Sequence, residues 1–294
     1  NRGPFLSMNP FSSRCCQHNH AQGWPYFTEH LVLATPDNGV ATAIYAACKA
    51  TVKVGDGKEI TLHEETNYPF EEAIAFTVST GEKVAFPFYL RIPSWTKGAE
   101  VRVNGKKVSV TPVAGKYLCI NREWANGDRV ELTLPMSLSM RTWQVNKNSV
   151  SVDYGPLTLS LKIAEKYVEK DSRETAIGDS KWQKGADSKK WPTTEIYPDS
   201  PWNYSLVLDK REPLKNFKVI RKSWPADNYP FTATSVPLEV KAIGRPVPEW
   251  KIDETGLCGV LPEEDAMKGD KEEITLIPMG AARLRISAFP NTKE

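Results

Sequence analysis

From Pro36 onward the sequence alternates apolar and polar residues with a period of two, and this limits what the chain can fold into. In "KVAFPFYLRIP", Val84, Phe86, Phe88, Leu90 and Ile92 share one parity, and in "DRVELTLP" Val130, Leu132 and Leu134 do the same. Successive side chains of a strand point to opposite faces, so such runs predict half-buried strands. "VRVNGKKVSV" sets two alternating arms around Asn104-Gly105, a dipeptide that accepts the backbone angles of a tight hairpin turn. The pattern continues through Leu157, Leu159, Leu161 and Ile163, and again through Leu284, Ile286 and Ala288. Many short strands punctuated by turns predict sandwich or jelly-roll architecture. A length of 294 residues suits two such domains better than one.

Ahead of Pro36 the period changes. "GWPYFTEHLVLAT" spaces Trp24, Phe27, Leu31 and Ala34 as on one helix face, with Pro25 allowed in a first turn or as a kink. "TPDNG" then stops the helix. The expected fold is mainly β: two β-sandwich (jelly-roll-like) domains preceded by a helix. The sandwiches are expected over 36–136 and 137–294, dividing where "VELTLPM" gives way to "SLSMRTW". Alternation lapses over about 170–205, a polar, proline-bearing stretch with Trp182, Trp191 and Trp202. These indoles would staple a long connection to the sandwich or offer flat faces to sugar rings.

Charge narrows the function. With 38 basic and 36 acidic residues, the net +2 gives no electrostatic case for nucleic acid or an anionic membrane. No apolar run approaches the roughly 18 residues of a spanning helix. "NRGPFLSMNP" lacks the layout of a signal peptide and reads as the middle of a longer protein.

Five cysteines do not make a disulfide scaffold. Cys48 and Cys119 sit among apolar neighbours and are expected to be small buried hydrophobes, and Cys258 is solitary. Cys15 and Cys16 in "SSRCCQHNH" are different. An adjacent pair can be a vicinal disulfide, a coincidental buried pair, or two soft ligands of one metal. Structural zinc sites usually separate such cysteines by two residues, so the pair is not a standard knuckle. His18 and His20 could add nitrogen ligands or be polar surface. The pair lies ahead of the helical segment, where free N–H groups and the helix dipole favour thiolate, and Arg14 adds positive charge.

Several stretches in order carry a resemblance: "RCCQHNHAQGWPYFTEHLVLAT", "HEETNYPF", "FYLRIPSW", "VRVNGKKV", "INREWANGDRVELTLPM", "VSVDYGPLTL" and "ITLIPMGAARLRISAFP". Together they resemble the β-L-arabinofuranosidase family of glycoside hydrolases, most weakly over about 170–229. The resemblance implies an (α/α)6 barrel followed by β-sandwiches, so that residues 1–35 would be the barrel's terminal piece. It implies a retaining mechanism with Cys15 as nucleophile, and zinc bound by Cys15 and Cys16 together with a third cysteine and a glutamate. A further glutamate would be the general acid/base. None of these last three residues has a counterpart here, so they are expected in an upstream barrel domain, and this chain by itself is expected to be inactive.

The clusters "HEETNYPFEE" (Glu64, Glu65, Glu71, Glu72) and "LPEEDAMKGDKEE" are expected to be solvated charges at strand edges rather than a catalytic pair. The expected partner is a carbohydrate substrate. The alternative is a non-catalytic sandwich that binds carbohydrate or braces a neighbouring domain. A periplasmic or secreted location suits a glycan-degrading enzyme, but no targeting segment marks one, and a cytoplasmic location stays open.

Overall fold

The computed structural model describes residues 15–171, 187, 189–190, 192–253, 256–263 and 269–294. It is mainly β, with one α-helix, α1 (Cys15–Glu29), a short 3-10 turn at Met279–Ala281 and twenty strands among the described residues. The chain divides into two compact units, one holding His18–Ser137 and the other Leu138–Glu294 together with Cys15–Gln17 at the start of the helix.

α1 stops at Glu29, and Val32–Ala34 is already a strand, so Leu31 and Ala34 do not extend the helix as their spacing suggested. Pro25 lies well inside α1, not in its first turn. Having no N–H, it leaves the carbonyl four residues earlier without its usual helical donor. Thr28 Oγ1 donates to Trp24 O at 2.9 Å, and His30 Nδ1 lies 2.6 Å from Tyr26 O, so side chains cover the last turns. Trp24 and Phe27 are exposed at 61% and 40% and meet each other edge-on, while Leu31 on the same spacing is buried.

The first unit has ten strands: β1 (Val32–Ala34), β2 (Val40–Thr42), β3 (Cys48–Val54), β4 (Lys58–Thr66), β5 (Ala73–Thr80), β6 (Val84–Arg91), β7 (Glu100–Val103), β8 (Lys106–Lys107), β9 (Tyr117–Trp124) and β10 (Arg129–Thr133). They form a four-stranded sheet, β1-β2-β6-β9, and a six-stranded sheet, β3-β4-β5-β10-β7-β8. Alternation decides which side chains meet between them. Val84, Phe86, Phe88, Leu90 and Ile92 are buried together with Ile60, Leu62, Ile74, Phe76, Val78, Val130 and Leu132 in one core. Phe88 meets Phe76 edge-on at 5.4 Å, and Phe86 stacks on Trp124 at 5.6 Å. The Trp124 indole N–H donates to Phe86 O at 3.0 Å, so its one polar atom is satisfied in the core.

The Asn104-Gly105 turn joins β7 to β8, with φ of 50° and 75°. Asn104 Nδ2 donates to Asp128 Oδ1 at 2.7 Å, and its Oδ1 accepts the Arg129 N–H at 2.8 Å, tying the hairpin to the β10 turn. A Cβ on Gly105 would meet nothing within 4 Å. Gly105→Ala is therefore a pure backbone penalty, expected to cost about 1 kcal/mol, read as a lower denaturant midpoint at unchanged slope.

The second unit has β11 (Leu138–Trp143), β12 (Ser149–Tyr154), β13 (Leu157–Leu161), β14 (Glu165–Lys170), β15 (Thr193–Pro198), β16 (Tyr204–Leu208), β17 (Lys218–Arg221), β18 (Leu238–Pro246), β19 (Glu272–Pro278) and β20 (Asn291–Lys293). Eight strands make one sheet, β11-β12-β13-β19-β18-β16-β20, with β17 pairing β18. Its core takes Val150, Val152, Leu159, Leu161, Leu206, Val240, Ile274, Leu276 and Phe289. β20 joins β16 in parallel, Leu206 opposite Asn291.

Two expectations change here. The stretch 170–205 is not all loop: β15 pairs with β14 along its full length as a two-stranded arm. Trp202 packs on Trp250 at 5.2 Å, a staple rather than a free face, while Trp182 and Trp191 lie outside the described residues. Leu284, Ile286 and Ala288 do not form a strand. The Ile286 carbonyl is taken by Leu161 N–H at 2.8 Å and Ser160 Oγ at 3.1 Å, and Phe289 makes a single bridge to Val150. Irregular backbone here is satisfied by individual bonds instead of a ladder.

Candidate functional site

Cys15 and Cys16 are the first two residues of α1, with His18 and His20 on the same helix. The sequence placed the pair ahead of the helix; it lies in the first turn. The leading amides of a helix have no acceptor within it, and the dipole places positive potential there. No acidic residue in that turn offsets this potential, an environment that favours thiolate. Arg14 lies outside the described residues.

Two thiols are soft donors that suit zinc, yet they supply half of a tetrahedral set. Among the described residues no group of three or more His, Cys, Asp or Glu could hold a metal ion. By donor chemistry the cysteine pair suits one half of a zinc site, and no second half is found among the described residues.

The remaining cysteines are less hidden than their neighbours suggested. Cys48 and Cys119 are half-buried, and Cys258 is exposed in an isolated bridge with Ile252. Cys48 Sγ lies 3.9 Å from Glu64 Oε2, and burial followed by that carboxyl pushes the thiol up to about 11.

Glu64 itself corrects the reading of its cluster. β4 is an interior strand, and Glu64 shares the inward parity of Ile60 and Leu62, with 1% of its surface exposed. Burial raises its carboxyl to about 8, against the Ala46 N–H and Cys48, which favour the charged form. Its Oε1 has no hydrogen-bond partner among the described residues. Glu72 is also engaged, its Oε1 accepting the Met136 N–H at 2.9 Å. Glu65 is the exposed residue that was expected, 3.4 Å from Arg129. Period-two counting along "KEITLHEET" was the signal that would have placed Glu64 inside.

Residues 39–136 match the family model described as β-L-arabinofuranosidase, GH127 middle domain. The fold of the chain is similar to a GH127 β-L-arabinofuranosidase from Geobacillus stearothermophilus T6, with a TM-score of 0.62 and 22% identity over 95% of this chain and 37% of that one. A second GH127 β-arabinofuranosidase gives 0.63 and 23% over 95% and 38% of the two chains, and a structure titled glycoside hydrolase gives 0.61 and 22% over 95% and 40%. The chain therefore spans about two fifths of the length of these structures. Comparison with curated proteins gives no match. Residues 39–136 thus resemble a GH127 middle domain, and the fold of the chain is similar to part of the GH127 β-L-arabinofuranosidase structures.

Proposed function

We propose that the protein is part of a retaining glycoside hydrolase acting on L-arabinofuranosides or similar glycans, with Cys15 as nucleophile. The observation that carries this reading is the match to a GH127 middle domain at 39–136, following closely on a helix that begins with Cys15 and Cys16. The thiolate sulfur of Cys15 attacks the anomeric carbon, and the bond from that carbon to the leaving oxygen breaks. That oxygen takes a proton from a general acid contributed from outside this chain. Water then attacks the same carbon and loses a proton to the same group as the carbon–sulfur bond breaks and the sulfur regains its charge. Two displacements at one carbon give retention.

Cys15 and Cys16 would hold zinc with donors from the rest of the parent protein. When bound, zinc keeps a thiol deprotonated at neutral pH and withdraws charge from sulfur, which eases its departure from carbon. The helix N-terminus works in the same direction on Cys15 without any metal.

The test is covalent. Full-length protein treated with a mechanism-based arabinofuranosyl reagent and digested for mass spectrometry is expected to carry the label on Cys15. Label on a carboxylate with Cys15 unmodified would overturn the assignment.

A further inference from the structure

The second unit holds a groove of about 670 Å³ among its described residues. Tyr167 of β14 lines it and is 52% exposed. Its hydroxyl donates to Glu165 Oε2 at 2.5 Å, so the ring is tethered at its far end. Glu165 is fixed in turn, its Oε1 accepting the Arg283 backbone N–H at 3.2 Å. The Arg283 guanidinium lies 3.9 Å from Glu165 and keeps 53% of its side chain exposed. Thr232 and Thr234 line the same groove, their hydroxyls 3.1 Å apart, as does Ser200, whose Oγ accepts the Ala164 N–H at 2.9 Å.

The charges lining this groove are already paired: Glu165 with Arg283, and Lys162 with Glu239 at 2.7 Å. An ionic ligand would have to break one of those pairs. What the groove offers is a tethered aromatic face, a half-exposed planar guanidinium and the hydroxyls of Thr234 and Ser200, while Thr232 is engaged by Ser235 and holds Thr234 in place. A saccharide ring has the matching chemistry, with an apolar C–H face for the tyrosine and vicinal hydroxyls for the polar groups. Because Tyr167 and Glu165 are held before any ligand arrives, little ordering is left to oppose binding.

We propose that this groove binds a neutral glycan chain, with Tyr167 as the stacking platform and Arg283, Thr234 and Ser200 as hydroxyl partners. That the glycan contains arabinofuranose rests on the functional reading above; that it is a neutral saccharide rests on the groove alone.

Titration calorimetry of the 294-residue chain with arabino-, xylo- and gluco-oligosaccharides and a galacturonate oligomer tests it. Arabino-oligosaccharides are expected to bind, Tyr167→Ala to weaken binding about tenfold, and Tyr167→Phe to keep most of it, since the ring is retained. Tyr167 is exposed, so circular dichroism of both variants should match the parent chain. Binding of only xylo- or gluco-oligosaccharides, lost in Tyr167→Ala, upholds the groove and overturns the arabinose assignment. No binding by any neutral glycan, binding of the galacturonate alone, or binding indifferent to Tyr167→Ala overturns the site.

Discussion

Cys15→Ser in the full-length protein is expected to abolish turnover of a nitrophenyl arabinofuranoside while leaving the fold intact. An alcohol at neutral pH is a far weaker nucleophile than a thiolate, and removing an essential nucleophile can cost up to about 10⁶-fold in kcat. Cys15 opens α1, where serine is a well-tolerated residue, so the helix should form as before, read as an unchanged circular-dichroism spectrum. Cys16→Ser should behave differently. Its metal content, measured by atomic emission on dialysed protein, should drop, and activity should return in part with added zinc. Equal and complete loss in both variants at full zinc occupancy would remove the division of labour between the two sulfurs.

Stability of the first unit is expected to fall as pH rises from about 4.5 to about 8, and Glu64→Gln is expected to flatten that dependence. The sign follows from burial. The folded carboxyl of Glu64 titrates at about 8, above its ordinary value of 4.5. The unfolded chain therefore loses its proton first, and each pH unit within that window favours unfolding by up to about 1.4 kcal/mol. Stabilisation is full below the lower value and lost as pH passes the upper one. Across the window the total is on the order of a few kcal/mol, a large share of a typical domain's stability. Hydrogen exchange of β4 and β5 amides at pH 5 and pH 8 reads the effect locally. Glu64→Gln should protect these amides nearly equally at both values. A parent chain whose protection there is the same at both pH values would show that Glu64 is not buried as a neutral acid.

The strands were legible because their chemistry is local. Phe86 and Phe88 declare a buried face by parity alone, and Asn104-Gly105 declares its turn by the backbone angles that glycine tolerates. Glu64 was equally legible by parity, but its charge was allowed to outweigh its position in the strand. Leu284 to Ala288 shows the opposite error: the right alternation was present, yet the carbonyls there are taken by Leu161 and Ser160 rather than by a continuous neighbour. The pairing of β14 with β15 could not be read, because its partners are separated by a long polar stretch rather than by a two-residue turn that would fix their register. The groove was beyond sequence altogether, since Glu165 and Arg283 come together only through the tertiary fold. Cys15 and Cys16 stood out by adjacency, but adjacency alone left three chemistries open.

The parallel seam between β20 and β16 bears on the order in which the chain can acquire structure. The strands of the first unit are all present once Thr133 has been made. The second unit cannot close at the corresponding stage. Leu206 waits for Asn291, Val150 waits for Phe289, and Arg245 waits for Glu294, 2.6 Å away in the finished fold. During synthesis, the ribosome must release nearly the whole second unit before its sheet has a complete set of neighbours. Non-local pairings are slow to form and leave strand edges open in the interval. The first unit can thus be a settled body while the second is still an unfinished sheet, so misassembly during expression should concentrate in the second unit.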